Sequence, residues 1–433
     1  MTPDVPLDVK EFYQACNPSP LDLKNAQERK YYIDFSSVRG GNIIEELKRT
    51  IDLSPNRATC QLFTGHIGCG KSTELQRLKV DLEKKNFHVV YFESSQVLEM
   101  GDVDVTDIML AIAKSVNQSL EEIQIRLRPP YFVRLFHDIA EILQTPIDLT
   151  QVELSVGLAK IIAETKDSPR LRNQLRACLE PQTNDIIRAI NDELLALAQE
   201  KLNKIGKTGL VVIVDGLDKL ANVEKPTGRP QPEYLFVDRG GQLNQLNCHV
   251  VYTIPLELIF SQCLARLANI FGSQAKVLPM VPVQLRQGGD YPEGMALLQQ
   301  MVMARAFPDV NLVQRIDLIP KVFDRPETLE RLCRVSGGHV RHLLMLICSC
   351  IVQKDPPLSH DCIEKVIRAS RNQFNGAIKQ NEWELLGQVW KTKTIAGKEQ
   401  YQTLVRNLFV FEYQDDDGSW FDVNPILVEG RTF

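Results

Sequence analysis

Gly65-His66-Ile67-Gly68-Cys69-Gly70-Lys71-Ser72 places a lysine, a hydroxyl and three glycines in the order G-x-x-x-x-G-K-[ST]. These residue types suit the holding of a phosphate chain. Glycines at 65, 68 and 70 let backbone N–H groups converge on β- and γ-phosphates without Cβ clashes. Lys71 would neutralise phosphate charge, and Ser72 would offer a hard oxygen to a magnesium ion. The cofactor-contacting set therefore runs through Gly65, His66, Ile67, Gly68, Cys69, Gly70, Lys71, Ser72 and Thr73. The bland alternative is a glycine-rich turn that happens to carry Lys-Ser. The flanking elements argue against it, because Ala58–Thr64 reads as a buried strand and Thr73–Leu82 has apolar residues at helical spacing. A strand-to-helix turn is where such a loop must sit, with the helix N-terminus adding partial positive charge.

A second acidic signal strengthens the first. Leu210-Val211-Val212-Ile213-Val214 is a continuous β-branched run, as expected for a parallel strand buried on both faces, and it ends in Asp215-Gly216-Leu217-Asp218-Lys219. The carboxyl ends of strands in open α/β sheets are where ligands bind. Asp215 is expected to hold magnesium together with Ser72, unless it is a surface cap on a core strand.

With 433 residues, 44% of them apolar and 24% charged, the chain is long enough for about two to four domain cores and is neither disordered nor fibrous in composition. A formal charge of -5 argues against a surface that tracks nucleic acid throughout. The absence of an apolar run of membrane-spanning length, and of a basic and apolar leader in Met1–Pro6, leads to the expectation of a cytoplasmic protein. None of the ten cysteines forms a C-x-x-C pair, so they are expected to be reduced core or site residues.

Strands alternating with helices predict an α/β fold built on a doubly wound parallel sheet. Residues 1–30 read as an arm, and 31–285 as the core, with a mainly helical insertion over 121–206 that includes a short hairpin at Val152–Ile162. The core strands are expected at Phe87–Glu93, Leu210–Val214, His249–Thr253 and Ala275–Val281 as well as before the loop. Helical periodicity without strands marks 286–370. Over 371–433, two helices and a tight hairpin around Asp415-Asp416-Asp417-Gly418 fit a winged-helix module.

In this order the motifs resemble the additional-strand P-loop ATPases, namely the AAA+ proteins and their signal-transduction relatives. That resemblance implies ATP and Mg2+ as cofactors, a helical lid over 286–370, and ATP-dependent self-assembly. Asp215-Gly216-Leu217-Asp218 looks like the signal-transduction form of the acidic strand end. Arg39-Gly40, ahead of a helix, resembles that group's amino-terminal G-R motif in reversed order and implies an adenine-side role for Arg39. Thr253 matches the polar sensor of the γ-phosphate, although Ile254-Pro255 follows where the group often has an arginine. Ser336-Gly337-Gly338-His339-Val340-Arg341 resembles the second sensor, with Arg341 reaching the γ-phosphate.

Hydrolysis needs a carboxylate to orient and deprotonate water. The usual AAA+ position for it, immediately after the magnesium aspartate, is Gly216. Asp218 is the favoured substitute on the family pattern and Glu93 the next, and the unusual arrangement suggests slow turnover. Arg239 and Arg266 flank the fourth strand as weak candidates for a trans-acting arginine.

Basic and aromatic residues interleave over Arg126–Phe136, as a nucleic-acid stacking groove would require, but a loop and helix buried against the core is the preferred reading of them. Residues 371–433 hold seven Lys/Arg against nine Asp/Glu, a net of -2, and the three-carboxylate hairpin tip would repel a phosphate backbone. The preferred reading is thus a regulatory or assembly ATPase acting on protein partners. A DNA-associated AAA+ ATPase and a non-hydrolysing nucleotide-binding module are the alternatives.

Overall fold

The computed structural model describes residues 5–127, 129–143, 154–395 and 399–429. Seven strands are found there: β1 (Cys60–Gly65), β2 (His88–Glu93), β3 (Leu210–Asp215), β4 (His249–Thr253), β5 (Lys276–Leu278), β6 (Val410–Asp415) and β7 (Gly418–Val423). The first five form one sheet in the order β2-β3-β4-β1-β5, and β6 pairs antiparallel with β7. The placement of β4 between β3 and β1 is the additional-strand arrangement, so the chain has an α/β P-loop fold. Among the pairings, β2/β3, β3/β4 and β4/β1 are parallel, with Glu93 opposite Asp215, Val214 opposite Tyr252 and Phe63 opposite Thr253. That register brings the polar residues at the strand ends to one edge of the sheet.

The helices used below are, in chain order, α1 (Val9–Ala15), α2 (Ile43–Asp52), α3 (Lys71–Lys84), α4 (Val105–Glu122), α5 (Pro130–Leu143), α6 (Leu154–Lys166), α7 (Pro169–Leu179), α8 (Pro292–Ala306), α9 (Pro326–Ser336), α10 (Val340–Gln353), α11 (His360–Ala377), α12 (Gln380–Thr392) and α13 (Glu399–Arg406). Two compact units result. The described residues of Met1–Ile43, Gly65–Arg77 and Val277–Phe433 make up the first, and Ile44–Thr64 with Leu78–Lys276 the second.

In the second unit the sheet is buried as its sequence requires. Every residue of β3 is inaccessible, and a Val or Ile taken wholly out of water contributes about 1.5–3 kcal/mol. Helix α4 starts on a capping box in which the Asp104 side chain accepts from Val105 N and Asp107 accepts from Asp104 N. Arg176 of α7 bridges Asp102 and Asp107, fastening the helical insertion beside that cap.

Two readings of the insertion change. The hairpin expected at Val152–Ile162 is helix α6 from residue 154 on, because Leu158, Ile161 and Thr165 bury one helical face; residues 152 and 153 lie outside the described residues. In the basic-aromatic stretch, Phe132 and Leu135 of α5 are core residues and Tyr131 packs against that core. Tyr131 and Phe132 thus form no outward-facing row of rings, while residue 128 and the Phe136 side chain lie outside the description. Strand β5 is also shorter than the expected Ala275–Val281, since Pro279 has no N–H to offer a ladder.

In the first unit the arm is packed, not loose. Phe12 of α1 is fully buried and Arg305 of α8 donates from Nε to the Ala15 carbonyl at 3.1 Å. Helices α12 and α13 precede the β6–β7 hairpin, whose Tyr413 and Trp420 rings stack at 4.6 Å.

Candidate nucleotide site

The phosphate loop begins where β1 ends and α3 starts, as its spacing demands. Gly65, Gly68 and Gly70 take φ values of +151°, +86° and +109°, which L side chains rarely adopt. Close approach adds to the constraint, since a Cβ on Gly68 would lie 2.7 Å from the His339 ring. Lys71 is buried and donates from Nζ to the carbonyls of Gly65 at 2.7 Å and His66 at 2.8 Å, which stretches its ammonium back across the loop. Ser72 and Thr73 are half-buried at the start of α3, and Thr73 Oγ1 accepts from Leu21 N at 3.3 Å. Cys69 is buried, with its thiol toward the Leu278 carbonyl.

Three groups from distant parts of the sequence support this loop within the first unit. His339 Nε2 donates to the Ile67 carbonyl at 2.8 Å while its Nδ1 accepts from His342 N, which fixes the neutral tautomer. Arg341 N donates to Gly68 O at 3.2 Å, placing the half-buried arginine at the first turn of α10 beside the loop. His66 Nε2 accepts from Glu412 N at 2.8 Å, so the first variable residue of the motif is tied to β6. Phe411 joins the two histidines, stacked on His339 at 5.8 Å and edge-on to His66 at 5.7 Å. Burial above all, helped by nearby positive groups, holds both imidazoles down to about 3.

Arg39 is buried beneath the same loop. Its Nη2 donates to the Cys69 carbonyl at 2.8 Å and its guanidinium lies 5.2 Å from the centre of the Phe35 ring. A small cavity of about 40 Å³ opens there, walled by Tyr32, Phe35, Arg39, Gly70, Thr73 and Met301. Glu74, also on this wall, is pushed up by burial against the opposing pull of Arg39 and Arg77.

The sheet edge carries the acidic residues, all within the second unit. Asp215 is buried, and its carboxylate accepts from Tyr91 Oη at 2.7 Å and from Gly216 N at 2.7 Å. Thr253 is buried, accepting from Leu217 N at 3.0 Å and donating to Val214 O at 3.4 Å, which ties the end of β4 to the turn after β3. Asp218 is buried in that turn. Glu93 accepts from Lys219 Nζ at 2.8 Å and from Ser95 Oγ. Gly216 has φ of +85°, and a Cβ on it would lie 2.1 Å from Glu93 Oε1. The carboxylate of Glu93 thus occupies the space next to the residue at which AAA+ proteins usually have a glutamate. Arg239 is taken up by Tyr234 Oη and Gln242, and Arg266 by Asp238.

Two contributors were not visible in the sequence reading, His339 and Tyr91. His339 lay inside the G-G-x-x-R string but was 272 residues from its partner carbonyl. Tyr91 offered a weak signal, a polar ring two residues before Glu93 on the same face of β2.

No protein-family profile matches the chain, and no curated protein matches it. Among solved structures it is similar to the Orc2 protein of Aeropyrum pernix, determined in ADPNP–ADP complexes, at 12% identity and TM-score 0.37, covering 88% of this chain and 89% of that one. A Walker-type ATPase of Pyrococcus abyssi is similar at 12% identity and TM-score 0.39, with 88% and 93% covered. Cdc6p of Pyrobaculum aerophilum is similar at 10% identity and TM-score 0.36, with 92% and 94% covered. Among the described residues, no helix is long and apolar enough to cross a membrane.

Proposed function

We propose that the protein is an AAA+-type ATPase, related in design to the signal-transduction group, that binds ATP with Mg2+ and works as a slow regulatory switch on protein partners. The observation that carries this reading is the loop itself: a full Gly65–Ser72 motif at the β1–α3 turn, with three left-handed glycines and an inward lysine, bonded directly to the head of α10 through Ile67 and Gly68. The residues fit the group they would hold. Glycine backbone and Lys71 suit a phosphate chain, and the Ser72 hydroxyl and Asp215 carboxylate are hard oxygens suited to Mg2+. Bound magnesium would supply neutralisation of charge on the phosphate oxygens.

The chain's own residues divide the remaining work. Lys71 draws phosphate into the loop, Tyr91 keeps the Asp215 carboxylate oriented, and Arg39 braces the loop from below through Cys69. Thr253 is proposed as the γ-phosphate sensor and Arg341 as its counterpart on the helical lid. For the general base, Glu93 is preferred over Asp218, because its carboxylate stands against Gly216. Its engagement by Lys219 and Ser95 supports a low basal rate, since these contacts must loosen before the carboxylate can take a proton from water. The C-terminal helices and acidic hairpin are read as a winged helix facing protein, with ATP-dependent self-assembly as its output.

The test is partner capture and self-association in excess ATP or ADP. Full-length protein is expected to sediment as a larger species with ATP than with ADP. Arg341→Ala is expected to bind ATP yet lose that difference, because nucleotide shifts an equilibrium only through differential contact. Identical behaviour of the unsubstituted protein in the two nucleotides would overturn the switch. Nanomolar duplex binding at physiological salt would put the DNA-associated reading in its place.

A further inference from the structure

Four thiols of the first unit form two neighbouring pairs. Cys16, which caps the C-terminal end of α1, meets Cys348 of α10, and Cys350 of α10 meets Cys362 at the start of α11. The pairs differ in access. Cys350 and Cys362 are both buried, whereas Cys348 is half-exposed above a fully buried Cys16. The Cys348 thiol donates to the Cys16 carbonyl oxygen at 3.4 Å, which sets it directly over the residue that carries the buried thiol. Their segments are 332 residues apart in sequence, so a bond between them would be a long-range tie.

We propose that Cys16 and Cys348 are a thiol–disulfide pair through which a low-molecular-weight disulfide ties the N-terminal arm covalently to helix α10. The accessible Cys348 thiolate attacks one sulfur of the small disulfide, forming a mixed disulfide and expelling one small thiolate. Cys16, having passed its proton to water, then attacks the Cys348 sulfur and expels the second. Two protein thiols are oxidised and the small disulfide is reduced to two thiols, so electrons and protons balance. The division of labour follows the surroundings. The neighbouring Cys16 thiol holds the Cys348 thiol below its ordinary range, while burial keeps Cys16 protonated until its partner is activated.

The tie would act on contacts that are otherwise non-covalent. The arm is held by Arg305 on Ala15 and Tyr31 and by Lys321 Nζ on Val5 O, and five residues past Cys16 it reaches Thr73 through Leu21. At its first turn, α10 carries the His339 and Arg341 contacts to Ile67 and Gly68. Oxidation therefore fastens together two segments that both touch the loop. On the nucleotide-binding reading above, it would slow nucleotide exchange.

The experiment incubates the full-length protein with excess glutathione disulfide at pH 8, blocks the remaining thiols and maps peptides without reduction. The expected result is a Cys16–Cys348 linked peptide that dithiothreitol removes, with Cys350 and Cys362 still blocked as free thiols. Cys348→Ser should abolish the link, and Cys16→Ala should stop at a glutathione adduct on Cys348. Accumulation of that adduct in the unsubstituted protein without the linked peptide would overturn the proposal, as would full blocking of both thiols. The release rate of a fluorescent ADP analogue, compared between oxidised and reduced protein, is read separately. A linked peptide with unchanged release leaves the redox pair standing and removes its effect on nucleotide.

Discussion

The phosphate loop and the acidic turn after β3 both carry short motifs, yet they are held in position by different means. The turn is fixed by its immediate sheet neighbours, with Tyr91 on β2 reaching Asp215 and Thr253 on β4 reaching Leu217. The loop is fixed by residues far along the chain, His339 and Arg341 at the head of α10 and Glu412 on β6. A site whose scaffold is local can keep its geometry while the rest of the molecule moves. A site whose scaffold comes from segments far along the chain, as the loop's does from α10 and β6, keeps its geometry only while those segments stay packed against it.

The contrast breaks most plainly at Lys71. Lys71→Ala is expected to lower ATP affinity and turnover by about 100-fold or more while leaving the circular-dichroism spectrum unchanged, because it removes the loop's cation and two bonds within the loop but no packing of the core. Normal phosphate release by this variant would remove the loop from the site.

Next in size comes the carboxylate of the turn. Glu93→Gln should slow phosphate release about 100-fold with ATP affinity retained, as expected when a general base is neutralised, and Asp218→Asn should do less. The reverse order in single-turnover measurements would return the base to Asp218.

The pH profile sharpens the loop side. Burial pushes the Glu412 carboxyl up to about 7, with Ser419 opposing. A raised carboxyl favours the folded state below its unfolded value and loses that contribution as pH rises through 7. Glu412→Gln should therefore gain stability over the parent at pH 8, by up to about 3 kcal/mol, with the gap closing below about pH 4.5. His66 and His339 act in the opposite sense. Their depressed values give stability that is present above about 6.5 and is lost as pH falls toward 3. Urea titrations across pH 4–8 check both signs, and a pH-independent difference between parent and variant would remove Glu412 as the cause.

The smallest effect is expected from Tyr91→Phe, which removes one hydrogen bond to a carboxylate. About 1–2 kcal/mol is at stake, read as a Mg2+ requirement about 5- to 30-fold higher with little change in melting temperature. A larger loss of stability than of magnesium affinity would make Tyr91 a packing residue.

How much of this was legible follows the same division. Spacing alone located the loop glycines, Lys71 and the strand run ending in Asp215, because those residues must be contiguous to do their work. The strand register that sets Glu93 opposite Asp215 depends on β2 pairing with β3 across more than a hundred residues, so the closeness of Glu93 to Gly216 could not be read from either segment. His339 was hidden for a related reason: its partner is a backbone carbonyl, which leaves no side-chain signature. The hairpin expected before Ile162 failed on period, since alternating apolar residues over a few positions satisfy strand and helix alike until burial at Leu158, Ile161 and Thr165 decides between them.

The crowding at Gly216 constrains how such a sequence can change. A side chain at 216 would have to push aside the end of the Glu93 side chain and hold a backbone angle that L residues rarely adopt, so an Asp-Glu pair at 215 and 216 would displace the Glu93 carboxylate as well as strain the turn. Losing Glu93 first would open the space but pass through a chain lacking both carboxylates. Positions 216 and 93 thus share one space, and a change at either is felt at the other.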